Sequence, residues 1–154
     1  MSDFTGPGIY TIVPFHAQDR ELDVWGNATA AGTPLKLYKK TPGAPNHQFL
    51  IVDAGGANCH PEKGDREYLI IAVNSGLYLT AGAEGKGVTM ELRAPKDGAI
   101  HWKLAHAGNG AFYINHASDS KQLNIRGGGK DEGTEVITYG LATSANCQFL
   151  LKFP

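Results

Sequence analysis

Three side chains in the first third of the chain form a combination that suits sugar binding. Asp23 supplies a carboxylate that accepts hydrogen bonds from two neighbouring hydroxyls, Tyr38 an aromatic face for the apolar side of a sugar ring, and Asn46 an amide that donates and accepts. Because side chains alternate along a strand, Asp23 and Trp25 should face solvent together if Leu22 faces a core. The expected carbohydrate site is Asp23, Trp25, Gly26, Tyr38, Asn46 and His47.

Each of these residues also has a purely structural interpretation. An aspartate beside a turn often binds backbone N–H groups, Asn46 could cap its own loop, and an exposed tyrosine is ordinary on a strand. Trp25 either adds a second stacking face or lies in a subunit contact. His47 either hydrogen-bonds the ligand or is a loop histidine without a role. The combination of residues, rather than any one of them, favours a sugar site.

The elements that must position this site come from an internal repeat. Leu22, Asp23 and Val24 recur at one constant offset as Leu123, Asn124 and Ile125, and a fainter middle copy keeps mainly apolar residues and glycine. Each copy closes on an aromatic residue, and these are Phe49, Trp102 and Phe149. Units this small cannot bury their own apolar faces, so the three copies must share a core.

Apolar residues alternate within each copy, which indicates four short strands per copy and no plausible helix. Twelve such strands in three units of four point to a pseudo-threefold antiparallel barrel capped by hairpins, because closure removes the exposed edges of an open sheet. The sequence therefore predicts an all-β chain with the β-trefoil architecture and three pseudo-symmetric four-stranded repeats. One domain spans residues 1–154, with repeats at approximately 6–53, 65–105 and 110–154.

The same motifs resemble a known family. Leu22-Asp23-Val24, Tyr38 and Asn46-His47-Gln48-Phe49 resemble the carbohydrate-binding repeat of ricin B-chain-like lectins, and the resemblance covers the whole chain. That repeat ends in Gln-x-Trp, whereas here only the aromatic residue is kept, in His47-Gln48-Phe49, Ile100-His101-Trp102 and Cys147-Gln148-Phe149. Residues 8–14 and 67–71 look more particularly like fungal agglutinins, and also like the lectin-like light subunit of mushroom tyrosinase.

The resemblance implies a carbohydrate-binding lectin without catalysis, and it favours galactose or N-acetylgalactosamine among the possible glycans. Mannose or a disaccharide stays open as the ligand because Trp25 and His47 depart from the family pattern. The tyrosinase subunit suggests another alternative, a lectin-like partner subunit that binds no sugar. A third is a β-trefoil serine protease inhibitor that presents one basic side chain to a trypsin-like pocket, the candidates being Arg20, Lys39, Lys40 and Arg126.

The three copies differ at the positions of the expected site. The third copy has Asn124, Tyr139 and Asn146, which keep the ring and the amide but replace the carboxylate with a neutral group. The middle copy has Tyr78, Arg93 and Ala99. We expect one competent site in the first copy, a weaker or silent second site in the third copy, and a purely structural middle copy.

Composition narrows the remaining classes of function. The net charge of −1 argues against nucleic acid as a partner, and the longest apolar stretch, residues 68–73, is too short for membrane insertion. The first residues show no signal peptide, so we expect a cytoplasmic protein or one released without a signal peptide. Cys59 and Cys147 are expected to be free thiols in a reducing compartment, and the alternative is a single bridge.

The scattered histidines and the absence of a nucleophile motif favour no metal, no cofactor and no enzymatic activity. The expected partners are glycans or glycoproteins. A weak site gains avidity from a second subunit, so an agglutinating protein would be a homodimer.

Overall fold

Twelve β-strands run through the part of the chain that the computed structural model describes, residues 1–54 and 66–154. The strands are β1 (Gly8–Pro14), β2 (Arg20–Val24), β3 (Thr33–Lys39), β4 (Phe49–Asp53), β5 (Glu67–Ala72), β6 (Tyr78–Thr80), β7 (Thr89–Glu91), β8 (Trp102–His106), β9 (Phe112–His116), β10 (Lys121–Ile125), β11 (Val136–Gly140) and β12 (Phe149–Lys152). These strands confirm the predicted all-β class.

The described residues also include five single turns of 3-10 helix, which the sequence analysis did not predict. They are Trp25–Asn27, Pro45–His47, Gly98–Ile100, Arg126–Gly128 and Ala145–Cys147. In each of the three repeats one such turn comes directly before the closing strand, and in the first and third repeats another directly follows the second strand. Three-residue turns are too short to leave a periodic pattern in the sequence.

Six of the strands form a closed antiparallel barrel. β1 pairs with β4 and β12, β5 pairs with β4 and β8, and β9 pairs with β8 and β12, so the ring closes on itself. The closing aromatic residue of each repeat lies opposite an aromatic residue on the first strand of the same repeat. These cross-strand pairs are Tyr10 with Phe49, Tyr68 with Trp102, and Phe112 with Phe149. The same register in all three repeats gives the barrel its pseudo-threefold symmetry.

Three hairpins cap one end of the barrel. β2 pairs with β3, β6 with β7, and β10 with β11, and further contacts join the hairpins to one another. Thr33 of β3 pairs with Met90 of β7, and isolated bridges join Lys36 to Glu135 and Gly87 to Ile137. The hairpins therefore close the barrel as a connected layer.

A large apolar core of the described residues fills the barrel and the cap, and a small second cluster contains Val13, Ala111 and Leu150. Leu22, Leu37, Phe49, Trp102 and Phe149 are each fully buried, and burying such side chains is worth roughly 1.5–3 kcal/mol apiece. The core therefore holds the second and third strands of each repeat in a fixed relation to its closing strand, which is what a site built from all three requires.

Two further sequence-based expectations concern thiols and membranes. Cys147 is a buried free thiol, as predicted, whereas Cys59 lies outside the described residues. Among the helical segments within residues 1–54 and 66–154, none has the length and apolar character to pass through a bilayer.

Candidate functional site

An open pocket of about 440 Å³ lies where the β2–β3 hairpin meets the turn before β4. The six residues of the expected site all line it, together with Asn27, Thr41 and Ala44. β2 supplies Asp23, β3 supplies Tyr38, and the 3-10 turn Pro45–His47 supplies Asn46 and His47. The structure therefore brings together side chains that are separated in the sequence.

The backbone after β2 turns sharply to shape one wall of the pocket. Gly26 has a φ of 65° and Asn27 a φ of 57°, both in the left-handed region that disfavours most side chains. This turn ends the strand at Val24 and places Trp25 beside the pocket. Trp25 is therefore half-buried in a turn, and the expectation that it continues the alternation of β2 is wrong.

Asn46 is locked to the end of β2. Its side-chain amide donates to Asp23 Oδ1 over 3.1 Å and to the carbonyl oxygen of Val24 over 3.3 Å. Both amide hydrogens are therefore used within the protein. The amide oxygen keeps its capacity to accept, so Asn46 serves the pocket mainly as an acceptor and as an anchor for Asp23.

His47 binds two carboxylates at once. Its Nδ1 lies 2.9 Å from Glu21 Oε2 and its Nε2 lies 2.9 Å from Asp23 Oδ2. Burial by itself lowers the pKa of His47, but hydrogen bonds and charges from Asp23 and Glu21 outweigh burial and raise that pKa from 6.5 to about 9. The imidazole is therefore a cation at neutral pH.

Asp23 is only 4% exposed, which differs from the solvent-facing position expected from alternation. It is buried because Asn46 and His47 pack against it and bind one oxygen each. An ionised carboxylate has about four acceptor sites. Two sites are used within the protein, and the remainder are available to hydroxyl groups of a ligand in the pocket that Asp23 lines.

Two aromatic rings form the apolar wall. The rings of Trp25 and Tyr38 pack edge to face with centroids 6.2 Å apart, and Tyr38 packs in the same way against His47. Lys36 Nζ lies 4.9 Å from the centre of the Trp25 ring, within cation–π range. These contacts hold the rings in place, so the wall is largely formed before any ligand binds.

Glu21 belongs to this group of side chains but is not among the residues expected from the sequence. It stands two residues before Asp23, so strand alternation puts both carboxylates on the same side of β2. That signal is present in the sequence, but its meaning depends on His47 reaching over β2 from the turn before β4. Nothing in the local pattern predicts that contact.

The third repeat has a related pocket of about 370 Å³ with no carboxylate, which Asn124, Tyr139 and Asn146 line with Arg126, Gly127 and Ile137. Asn146 donates to Asn124 Oδ1 over 3.2 Å and to the Ile125 carbonyl over 3.0 Å, as Asn46 does in the first repeat. Arg126 replaces Trp25, so the second aromatic face is missing. Tyr139 is half-exposed.

In the middle repeat the corresponding residues form other contacts. Arg93 pairs with Asp97 over 3.3 Å, and Ala99 provides no side-chain amide.

Two of the four basic residues expected as candidates for protease inhibition form contacts within the chain. Arg20 binds Asp19 and the Lys130 carbonyl, and Arg126 binds Glu135 and the Gly85 carbonyl.

Known proteins share both the sequence pattern and the fold of this chain. The pattern of the family described as ricin-type beta-trefoil lectin domain-like matches residues 45–139, more than half of the chain. An agglutinin of the fungus Sclerotinia sclerotiorum is 28% identical over 93% of this chain and 94% of its own length.

Two solved structures have the same architecture. The designed threefold-symmetric protein ThreeFoil superposes with a TM-score of 0.80 and 24% identity, covering 93% of this chain and 96% of its own. The ricin B-like lectin of Macrolepiota procera, solved in complex with lactose, gives a TM-score of 0.73 and 18% identity over 99% of this chain and 100% of its own. These likenesses confirm the predicted β-trefoil fold and the predicted family. The chain belongs to the ricin-type β-trefoil lectin domain-like family.

Proposed function

We propose that the chain is a non-catalytic lectin whose main carbohydrate site is the pocket of the first repeat. The observation that carries the proposal is the state of Asp23, whose carboxylate is fixed by Asn46 and His47 and retains acceptor capacity at the pocket. Trp25 and Tyr38 provide apolar faces beside it. A carboxylate with spare acceptor sites next to an aromatic face matches the two chemically different sides of a sugar ring.

The proposed ligand is a glycan that ends in galactose or N-acetylgalactosamine. The axial hydroxyl of these sugars lets one carboxylate bind two neighbouring hydroxyls at the same time. The lactose complex of the Macrolepiota procera lectin supports this choice, because lactose is a galactose-terminated disaccharide. Mannose-terminated glycans are the competing ligands that the experiment must include.

The test is a glycan array followed by isothermal titration calorimetry with the selected sugar. A monosaccharide in a shallow site binds with a Kd near 1 mM, about −4 kcal/mol, and loss of a charge-assisted hydrogen bond costs about 1.5–3 kcal/mol. Asp23→Ala should therefore abolish measurable binding, whereas the matched variant Asn124→Ala should keep it. Equal loss in both variants would contradict the assignment of one main site.

A single millimolar site cannot cross-link cells, and the third-repeat site is expected to be weaker or silent, so a second competent site should lie on another subunit. We propose a homodimer as the agglutinating form. Sedimentation equilibrium combined with a haemagglutination assay tests this part. A monomer that agglutinates cells even when the third-repeat site is removed by Asn124→Ala would argue against it.

A further inference from the structure

His47 lies between Glu21 and Asp23 in a geometry that only a fully protonated ring satisfies. Each ring nitrogen is 2.9 Å from a carboxylate oxygen, and the His47 side chain is almost completely buried. Ionised carboxylates only accept hydrogen bonds, so both ring nitrogens must donate. The three side chains therefore form a buried group of two anions and one cation.

We propose that Glu21 is a positioning residue of the carbohydrate site, which acts through His47 to fix the orientation of Asp23. The inference rests on the proposed function, since it assigns a role in that same site. Glu21 fixes the ring through Nδ1, and the ring then fixes Asp23 Oδ2 through Nε2. With Asn46 on Oδ1, the carboxylate is held at both oxygens while its other acceptor sites are available to the sugar.

Glu21 does not line the sugar pocket. It lines a neighbouring cavity of about 210 Å³ together with Lys40 and Gln48, and this cavity shares Thr41 and Ala44 with the sugar pocket. An effect of Glu21 on sugar binding should therefore pass through His47, to which Glu21 is hydrogen-bonded, rather than through a contact with the sugar. This separation distinguishes a positioning residue from a direct ligand of the sugar.

The third repeat lacks the same arrangement and so provides an internal comparison. The residues that correspond to Glu21, Asp23 and His47 are Gln122, Asn124 and Cys147, all uncharged. Gln122 Nε2 donates to the Ala142 carbonyl over 3.0 Å, and Cys147 Sγ donates to the Ser144 carbonyl over 3.0 Å. Neither of these bonds reaches Asn124. The charged group is therefore a feature of the first repeat, where the main site is proposed.

The charged groups around His47 determine how binding should depend on pH. Glu21 and Asp23 of β2 face the ring directly, the Tyr38 ring of β3 packs against it, and Lys40 shares the neighbouring cavity with Glu21. The carboxylates raise the pKa of His47 to about 9. Above that pH one ring nitrogen becomes an acceptor that faces an anion, and Asp23 loses a permanent donor.

The experiment measures sugar affinity by calorimetry from pH 6 to pH 10 for the wild type, Glu21→Leu and Glu21→Gln. The wild type should bind equally from pH 6 to pH 8 and more weakly above about pH 9. Glu21→Leu should bind about tenfold more weakly at pH 7, with the decline in affinity starting nearer pH 7. Glu21→Gln keeps an oxygen that accepts from Nδ1 and should recover most of the loss at pH 7.

The matched control is Glu67→Gln. Glu67 binds His101 Nδ1 over 3.0 Å in the middle repeat, so it is another glutamate–histidine pair, and neither residue lines the sugar pocket. This variant should bind sugar as the wild type does, with the same pH profile. Wild-type affinity and pH profile in Glu21→Leu would overturn the proposal.

A second measurement needs no sugar. Nitrogen-15 NMR of the His47 ring in the unliganded protein should show both nitrogens protonated at pH 7, and a lowered pKa in Glu21→Gln even if Glu21→Leu fails to fold. An unchanged pKa of His47 would overturn the proposal.

The binding experiments also separate the role of Glu21 from the proposed site. If Asp23→Ala abolishes binding while both Glu21 variants bind normally, only the role of Glu21 fails. If Asp23→Ala binds normally, the proposed site itself fails and the role of Glu21 fails with it.

Discussion

The indole nitrogen of Trp102 donates a hydrogen bond to the carbonyl oxygen of Leu79 over 3.0 Å. Leu79 occupies the position in the middle repeat that Val24 and Ile125 occupy in the other two, where the side-chain amides of Asn46 and Asn146 donate to the carbonyl oxygen. The middle repeat has Ala99 in place of the asparagine. Its tryptophan therefore binds the carbonyl that the asparagine binds elsewhere, which keeps the fold of this repeat while its sugar-site residues are absent.

Trp102→Phe should destabilise the protein by about 1–3 kcal/mol. The variant would have a phenylalanine at the position where the other two repeats have Phe49 and Phe149. The buried Leu79 carbonyl would lose the hydrogen bond from the indole N–H. The double variant Trp102→Phe/Ala99→Asn should recover part of that loss, because the new amide can donate to Leu79 as Asn46 donates to Val24. Urea unfolding measures both effects, and no recovery in the double variant would contradict the proposed equivalence of the two donors.

The fold could be predicted from the sequence because its two determinants are both visible there. Alternating apolar residues such as Leu35 and Leu37 indicate strands, and the repeat gives their number and their threefold arrangement. The 3-10 turns could not be predicted, since a turn such as Pro45–His47 is shorter than any periodic signal. The positions of the turns nevertheless decide which side chains reach the pocket.

The candidate site was predictable only in part, for a related reason. Asp23, Tyr38 and Asn46 recur in the third repeat as similar residues, so comparison of the two copies identifies them. Glu21 and His47 have neutral counterparts in that copy, and they lie 26 positions apart in the chain. Their contact depends on the tertiary approach of the turn before β4 to β2, which no local pattern encodes.

Tyr38→Ala should weaken sugar binding about tenfold at unchanged pH. The substitution removes the aromatic face and also the edge-to-face support of Trp25, whose ring centroid lies 6.2 Å from that of Tyr38. The matched variant Tyr139→Ala alters the corresponding ring of the third repeat and should leave the affinity of the main site unchanged. Calorimetry with the selected sugar measures both variants. A larger loss of affinity in Tyr139→Ala than in Tyr38→Ala would indicate that the main site lies in the third repeat.

Gly26→Ala should cost about 1–3 kcal/mol of stability and also weaken sugar binding. A side chain at a φ of 65° is strained, although a Cβ there meets no atom within 4 Å, so backbone strain is the main effect. Relief of the strain would shift the turn that places Trp25. Gly127→Ala, at a φ of 61° in the third repeat, should cost similar stability without changing affinity. Thermal unfolding and calorimetry separate the two effects.

Alkaline pH should destabilise the unliganded protein through His47. The pKa of His47 rises from 6.5 to about 9 on folding, so the folded state holds the proton more tightly than the unfolded state does. This difference contributes on the order of 3 kcal/mol to the free energy of unfolding. That contribution is complete below pH 6.5 and is lost as the pH rises through about 9. His47→Gln cannot titrate, so the difference in unfolding free energy between the wild type and this variant should shrink from pH 6 to pH 10. A constant difference over that range would mean that His47 is not held as a cation.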